Sequence, residues 1–215
     1  MYKAMKRLII VIIILSIFYG NLFSQTIQNM SESEGNVFEQ KMIDHSKNIK
    51  TLQCTFVQEK ISSIFNEKNA SKGKLFYHSP NALRWEYTDP AIATFIINGN
   101  NAVLLGKNDE KLGNERMFKE LGGIIISLIN GNGITQSKQF TTAYYEMDND
   151  QRKVILTPVQ KRIKEFFNTI EMNIDVKTML ANEIILNEKS GDVTIISLSD
   201  KEINIEISSG IFKIK

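Results

Sequence analysis

The stretch Gly73-Lys74-Leu75-Phe76-Tyr77-His78-Ser79-Pro80-Asn81-Ala82-Leu83-Arg84-Trp85-Glu86-Tyr87 decides the fold. Two runs flank Ser79-Pro80-Asn81, three residue types that favour a tight turn. Side chains alternate across a strand. Leu75 and Tyr77 therefore share one face, with Lys74, Phe76 and His78 on the other. Leu83, Trp85 and Tyr87 oppose Arg84, Glu86 and Thr88 in the same way. If the two runs pair about the turn, Leu75, Tyr77, Leu83, Trp85 and Tyr87 pave one apolar surface around the only tryptophan of the chain. Such a surface is either the ordinary core of a β domain or the wall of a hollow.

The same rhythm extends outward. Upstream, Leu52, Cys54 and Phe56 alternate with Gln53, Thr55 and Val57. Downstream come Ala93–Gly99, which carries Phe95 and Ile97, and Ala102–Gly106. Turn signals at Thr88-Asp89-Pro90 and Asn98-Gly99-Asn100-Asn101 separate these runs. A spacing of about ten residues predicts antiparallel hairpins rather than parallel units. Residues 137–150 give no clear period. Val154–Pro158 reads as a strand, Lys161–Phe167 as a polar connection, and the remainder as a β-meander with a hairpin loop over Asn187–Asp192.

Two segments break the strand rhythm. Phe38, Met42, His45 and Ile49 recur at helical spacing, with Ser31 or Ser33 available as a cap. Between Arg116 and Asn130, Met117, Phe118, Leu121, Ile124, Ile125 and Leu128 do the same. Gly122-Gly123 in its middle costs about 1 kcal/mol per glycine in helix propensity. Gly131-Asn132-Gly133 is expected to end it.

The N-terminus reads as an address. Lys3, Lys6 and Arg7 precede an apolar run from Leu8 to Tyr19, and Gly20–Gln25 turns small and polar. That is the layout of a cleaved secretory signal peptide over residues 1–24. The run is shorter than the roughly 20 residues needed to span a bilayer. Residues 25–35 read as a loose polar tail, and 36–215 as a single domain. Three of the 26 basic side chains lie in the leader, which leaves 23 against 24 acidic ones, a net charge of −1. A nearly neutral chain argues against a nucleic-acid surface. The single cysteine, Cys54, forms no internal disulfide and reads as a small core residue.

No catalytic constellation stands out. His45 and His78 lie far apart, and no nucleophile elbow, zinc signature, P-loop or dinucleotide fingerprint is present. Glu86 and Asp89 read as a strand charge and a turn residue rather than an acid/base pair. No metal and no cofactor is expected.

The ordered elements resemble the LolA family, the periplasmic carriers of bacterial outer-membrane lipoproteins. They are an N-terminal helix, Thr55–Gln58, Gly73–Tyr77, Ser79–Tyr87, Asp89-Pro90, Ile96–Gly99, a helical segment, Leu156–Pro158 and the final meander. Gly-x-Leu followed by Pro-x-x-Leu-Arg-Trp-Glu-Tyr is the specific part. The resemblance implies a mainly β (α+β) fold, an incomplete antiparallel β-barrel whose hydrophobic cavity is covered by α-helical lid segments. It implies a monomeric carrier without enzyme activity. Its partners would be acylated lipoproteins, an inner-membrane lipoprotein-releasing ABC transporter and an outer-membrane receptor. The lipid-binding residues so implied are Leu75, Tyr77, Leu83, Trp85, Tyr87, Phe95, Ile97, Ile124, Ile125 and Leu128. Many proteobacterial relatives place an arginine before the turn proline, where it latches the lid. Here that position is Ser79, which leaves the lid to packing. Two other readings stay open: a carrier for another amphiphile, such as a glycolipid or polyketide-like lipid, and a structural or regulatory envelope protein without cargo.

Overall fold

Alternation along the sequence becomes one antiparallel sheet. The computed structural model describes residues 27–65, 67–112, 115–130 and 138–214. Its strands are β1 (Gln28–Asn29), β2 (Thr51–Ile61), β3 (Lys68–His78), β4 (Ala82–Asp89), β5 (Ala93–Asn98), β6 (Asn101–Leu105), β7 (Phe140–Met147), β8 (Gln151–Pro158), β9 (Phe167–Asp175), β10 (Ala181–Glu188) and β11 (Val193–Ile203). Helices α1 (Glu32–Ser46), α2 (Glu115–Ile129) and the single turn α3 (Lys161–Lys164) complete the described elements, with a 3₁₀ turn at Ser209–Phe212. The sheet order is β1-β7-β8-β9-β10-β11-β2-β3-β4-β5-β6. Pairing of β11 with β2 joins the C-terminal meander to the N-terminal hairpins. The ends of the sheet, β1 and β6, do not pair with each other, so the sheet is open.

The expected hairpin forms in the expected register. Leu75 faces Trp85, and Tyr77 faces Leu83 across β3 and β4. Gly99 turns the β5–β6 connection with φ of 62°, a left-handed conformation that suits glycine. Gly73 answers a different need. A Cβ there would stand 1.8 Å from the Glu86 carbonyl oxygen and 2.5 Å from Phe56 Cζ, so only glycine fits beneath the Phe56 ring.

One face of the sheet is buried almost throughout. Leu52, Cys54 and Phe56 of β2, Ile170, Met172 and Ile174 of β9, and Ile184 and Leu186 of β10 belong to the same core as Leu83 and Trp85. Ile96 and Val103 are buried on the opposite face. There the 3₁₀ turn covers β4 and β5. Asn98 Nδ2 donates to the Phe212 carbonyl at 3.2 Å, and an Arg84 guanidinium nitrogen donates to that of Ile211 at 2.9 Å.

Three stretches differ from their sequence reading. The polar tail is partly ordered: Gln28–Asn29 pair with β7, and α1 begins at Glu32. Ser31 explains this. Its hydroxyl accepts from the Glu34 amide while Glu34 Oε2 accepts from the Ser31 amide at 2.8 Å, a reciprocal capping box. Residues 140–147, lacking a clear period, form β7, because both of its faces are only partly buried. The polar connection after Pro158 contains α3, whose Ile163 is fully buried. The leader and the helix stop at Gly131-Asn132-Gly133 lie outside the described residues.

Candidate apolar cavity and its lid

A small apolar cavity of about 60 Å³ lies between the sheet and the two long helices. Five neighbouring strands converge on it, with Met172, Ile184, Leu198, Cys54 and Leu75 each from a different one. Met42 of α1 and Ile125, Leu128 and Ile129 of α2 close it. That adjacent strands and both helices meet round one space shows how far the sheet curls. Of the fifteen lining residues, Lys201 is the only charged one.

Three of the ten residues singled out in the sequence line this cavity: Leu75, Ile125 and Leu128. The other seven lie elsewhere in the same core. Tyr77, Leu83, Trp85, Phe95, Ile97 and Ile124 are buried, and Tyr87 is half-buried. The hollow therefore sits beside Leu75 rather than against Trp85. Gly122 supplies the reason. A Cβ on it would come within 2.5 Å of Ile97 Cδ1, 3.0 Å of Phe95 Cε1 and 3.3 Å of Leu83 Cδ2. The bare backbone of α2 thus seals the sheet at Leu83, Phe95 and Ile97. Phe118, one turn earlier, stacks at 5.5 Å on Phe95 and meets Tyr87 edge-on at 6.5 Å. Trp85 packs on Phe56 with ring centroids 4.7 Å apart. The Trp85 indole N–H and the Tyr77 hydroxyl make no hydrogen bond of ordinary geometry there, although the Tyr87 hydroxyl lies close enough to the indole, and Ser79 to the Tyr77 hydroxyl, to interact weakly.

Among the described residues, four polar ties join α2 and the residue after it to the rest. Lys119 Nζ donates to the Asn100 carbonyl at 3.4 Å. Asn130, directly after α2, donates to the Pro80 carbonyl at 3.1 Å. Arg116 pairs with Glu165 at 2.8 Å and lies over the Phe166 ring at 5.6 Å. Arg162 reaches Glu120 at 3.5 Å. These pairs are substantially exposed and contribute little each. Among the described residues Ser79 makes no side-chain hydrogen bond to α2. Its amide donates to the Lys50 carbonyl at 2.8 Å. The turn is still tied to the lid, but through Asn130 and a backbone carbonyl rather than through residue 79. On α1, Phe38 packs edge-on against Tyr144 at 6.1 Å.

Burial shapes the chemistry of the lining and of the core beside it. It pushes the Cys54 thiol up to about 12 and the Tyr87 hydroxyl up to about 12 as well, the latter despite a hydrogen bond to Gln58 at 2.9 Å. Both stay protonated at neutral pH. The walls are thus neutral apart from Lys201. Among the described residues no group of three or more His, Cys, Asp or Glu side chains could hold a metal.

The wall formed by β9, β10 and β11 escaped the sequence reading. Its signal was present in the alternation of Met172 with Ile174 and in the methionines at 42, 172 and 179, soft side chains suited to adaptable surfaces. The sequence does not reveal that these strands come next to β2.

Residues 47–215 match the family described as outer membrane lipoprotein carrier protein LolA. The chain belongs to that family. It is 22% identical over 205 residues to an outer-membrane lipoprotein carrier protein of Legionella pneumophila strain Corby, covering 95% of this chain and 93% of that one. Among solved structures it resembles a putative outer membrane lipoprotein-sorting protein domain from Vibrio parahaemolyticus, with a TM-score of 0.50 and 10% identity over 85% of this chain and 97% of that one. It also resembles a chain in the complex of Pseudomonas aeruginosa MucA and MucB, with a TM-score of 0.50 and 10% identity over 85% of this chain and 61% of that one. Both likenesses concern the fold alone. The LolA family is a binding and carrier family, and in this member an apolar cavity lies between the sheet and the two long helices.

Proposed function

We propose that this protein is a periplasmic carrier for the acyl chains of lipoproteins. An inner-membrane ABC transporter would load it, and an outer-membrane receptor or the membrane itself would unload it. Residues 1–24 would direct export and be removed, leaving one carrier domain over 36–215 that acts as a monomer and catalyses no reaction.

The observation that carries this reading is the seating of α2 on an otherwise continuous apolar sheet face. Each buried CH₂ is worth about 0.8 kcal/mol, so acyl chains in water need such an enclosure. The closed cavity of about 60 Å³ is too small for them. Even one benzene ring occupies a cavity of roughly 150 Å³. Loading therefore requires α2 to lift, which uncovers Leu83, Trp85, Phe95 and Ile97 as further chain-binding surface. The glycine pair of α2, and ion pairs that are mostly exposed among the described residues, suit a lid that moves. No described helix is long and apolar enough to cross a membrane.

The test is reconstitution. Purified protein is mixed with a detergent-solubilised triacylated lipoprotein and the detergent is removed. A soluble 1:1 complex is expected. Persistent aggregation of the lipoprotein, with the carrier eluting alone, overturns the reading.

A further inference from the structure

Lys201 stands out because, among the described residues, no carboxylate pairs with it directly. It is half-buried on β11, and its Nζ donates to Asn182 Oδ1, a neutral acceptor. Among the described residues it forms no ion pair. An ammonium carries three donors, so two remain for another ligand. Burial pulls its pKa below that of an ordinary lysine, while the Asp175 charge acts the other way.

The carboxylates nearby are committed elsewhere. Asp175 Oδ1 accepts from the amides of Lys177 and Thr178 at 3.0 and 2.8 Å and from the Thr178 hydroxyl at 3.0 Å. Asp200 Oδ2 accepts from the Thr55 hydroxyl at 2.6 Å and from that of Ser199 at 3.4 Å. Lys177, on the same rim, is paired with Asp150 at 2.9 Å.

Position gives the lysine its meaning. Leu180, Leu198 and Lys201 line both the apolar cavity and an outer polar depression of about 520 Å³. His45, another lining residue of that depression, has a buried Nδ1 with no hydrogen-bond partner. A molecule whose chain enters beneath α2 once that helix lifts, as loading requires, would hold its head at this boundary.

We infer that the cavity takes a single-chain amphiphile with an anionic head, a fatty-acid carboxylate being the simplest, whose head is held by Lys201 at the mouth. This rests on the cavity being an acyl-chain site, as proposed above. It goes further in assigning a head-group contact and a charge preference, which the esterified and amide-linked chains of a lipoprotein do not supply. A carboxylate at Lys201 would form charge-assisted hydrogen bonds, about twice as strong as neutral ones. Asp175 and Asp200 moderate the gain without forming a pair.

Competition binding tests this. Laurate, dodecanol and dodecylammonium, which share one chain length, displace a neutral naphthylamine dye from the purified protein. Laurate is expected to bind at least about tenfold tighter than either competitor. Lys201→Gln should abolish that preference without weakening dodecanol, and Lys201→Arg should keep it. Equal binding of laurate and dodecanol, or a preference that survives in Lys201→Gln, overturns the anchor and leaves the carrier reading intact. No binding of any of the three overturns both. The comparison within the unaltered protein stands even if a variant fails to fold.

Discussion

Gly122 lies so close to Ile97 that a Cβ on the glycine would stand 2.5 Å from the Ile97 Cδ1. Its neighbour Gly123 faces open space, with nothing within 4 Å of the same position. Two adjacent glycines in one helix thus do different work. Gly122 permits close approach of helix to sheet. Gly123 only lowers helix propensity.

The two sites should respond in opposite ways. Gly123→Ala should stabilise α2 by about 1 kcal/mol and raise its amide-exchange protection. Gly122→Ala gains the same propensity but must displace Ile97 and Phe95, so protection across α2 should fall. Hydrogen exchange resolved along the helix checks this. Equal gains in protection at both positions would remove Gly122 as the contact point of the lid.

Asn130 gives a second handle on the lid. Asn130→Ala removes the donor to the Pro80 carbonyl, worth about 0.5–1.5 kcal/mol. Exchange in the last turn of α2 should quicken while the global melting temperature moves little. If the melting temperature falls as far as in a core mutant, the bond holds the fold rather than the lid.

Trp85 is structural in the closed protein, at 3% exposure and packed on Phe56. Trp85→Ala should cost about 3–5 kcal/mol, read by urea denaturation. Trp85→Phe should cost much less, since a ring can still pack on Phe56 and the indole N–H makes no hydrogen bond of ordinary geometry. A large loss in Trp85→Phe would reveal a hydrogen bond that the closed structure lacks.

These contrasts show what the sequence revealed and what it left hidden. The pairing of Leu75 with Trp85 and Tyr77 with Leu83 was legible, because period-2 alternation and a Ser-Pro-Asn turn fix the register of a local hairpin. The helix over Glu115–Ile129 was legible from its apolar spacing despite the glycines. The location of the cavity was not. It depends on β11 pairing with β2, a contact between residues more than a hundred positions apart that no local pattern encodes. The role of Gly122 was hidden for a related reason. Its lack of a side chain reads locally as a weakness, and only the opposing Ile97 turns it into a fit. Asn130, which donates to the Pro80 carbonyl in the turn beside Ser79, carried no signal in the sequence.

Cys54 yields a pH prediction. Its thiol has an ordinary value of 9.0 and is pushed up to about 12 by burial. Between these values the unfolded chain ionises while the folded one keeps its proton. Stability should therefore fall with rising pH above about 9, by about 1.4 kcal/mol per pH unit from this group. Below that window Cys54 contributes no pH dependence. Tyr87, raised in the same sense, steepens the fall above its ordinary value of 10.0. Urea denaturation of the protein and of Cys54→Val, compared from pH 8 to pH 11, should show the variant gaining relative stability as pH rises. Parallel curves would mean that the thiol ionises freely in the folded state.

The unpaired ends of the sheet carry a consequence for capacity. In a closed barrel, strand number and stagger fix the diameter. Here β1 and β6 share no ladder, so no ring of backbone hydrogen bonds sets the girth of the concave face. α2 packs on β4, β5 and β6, and α1 on β7. For the carrier proposed above, a shift of either helix would change the volume beneath it without breaking a single strand pairing.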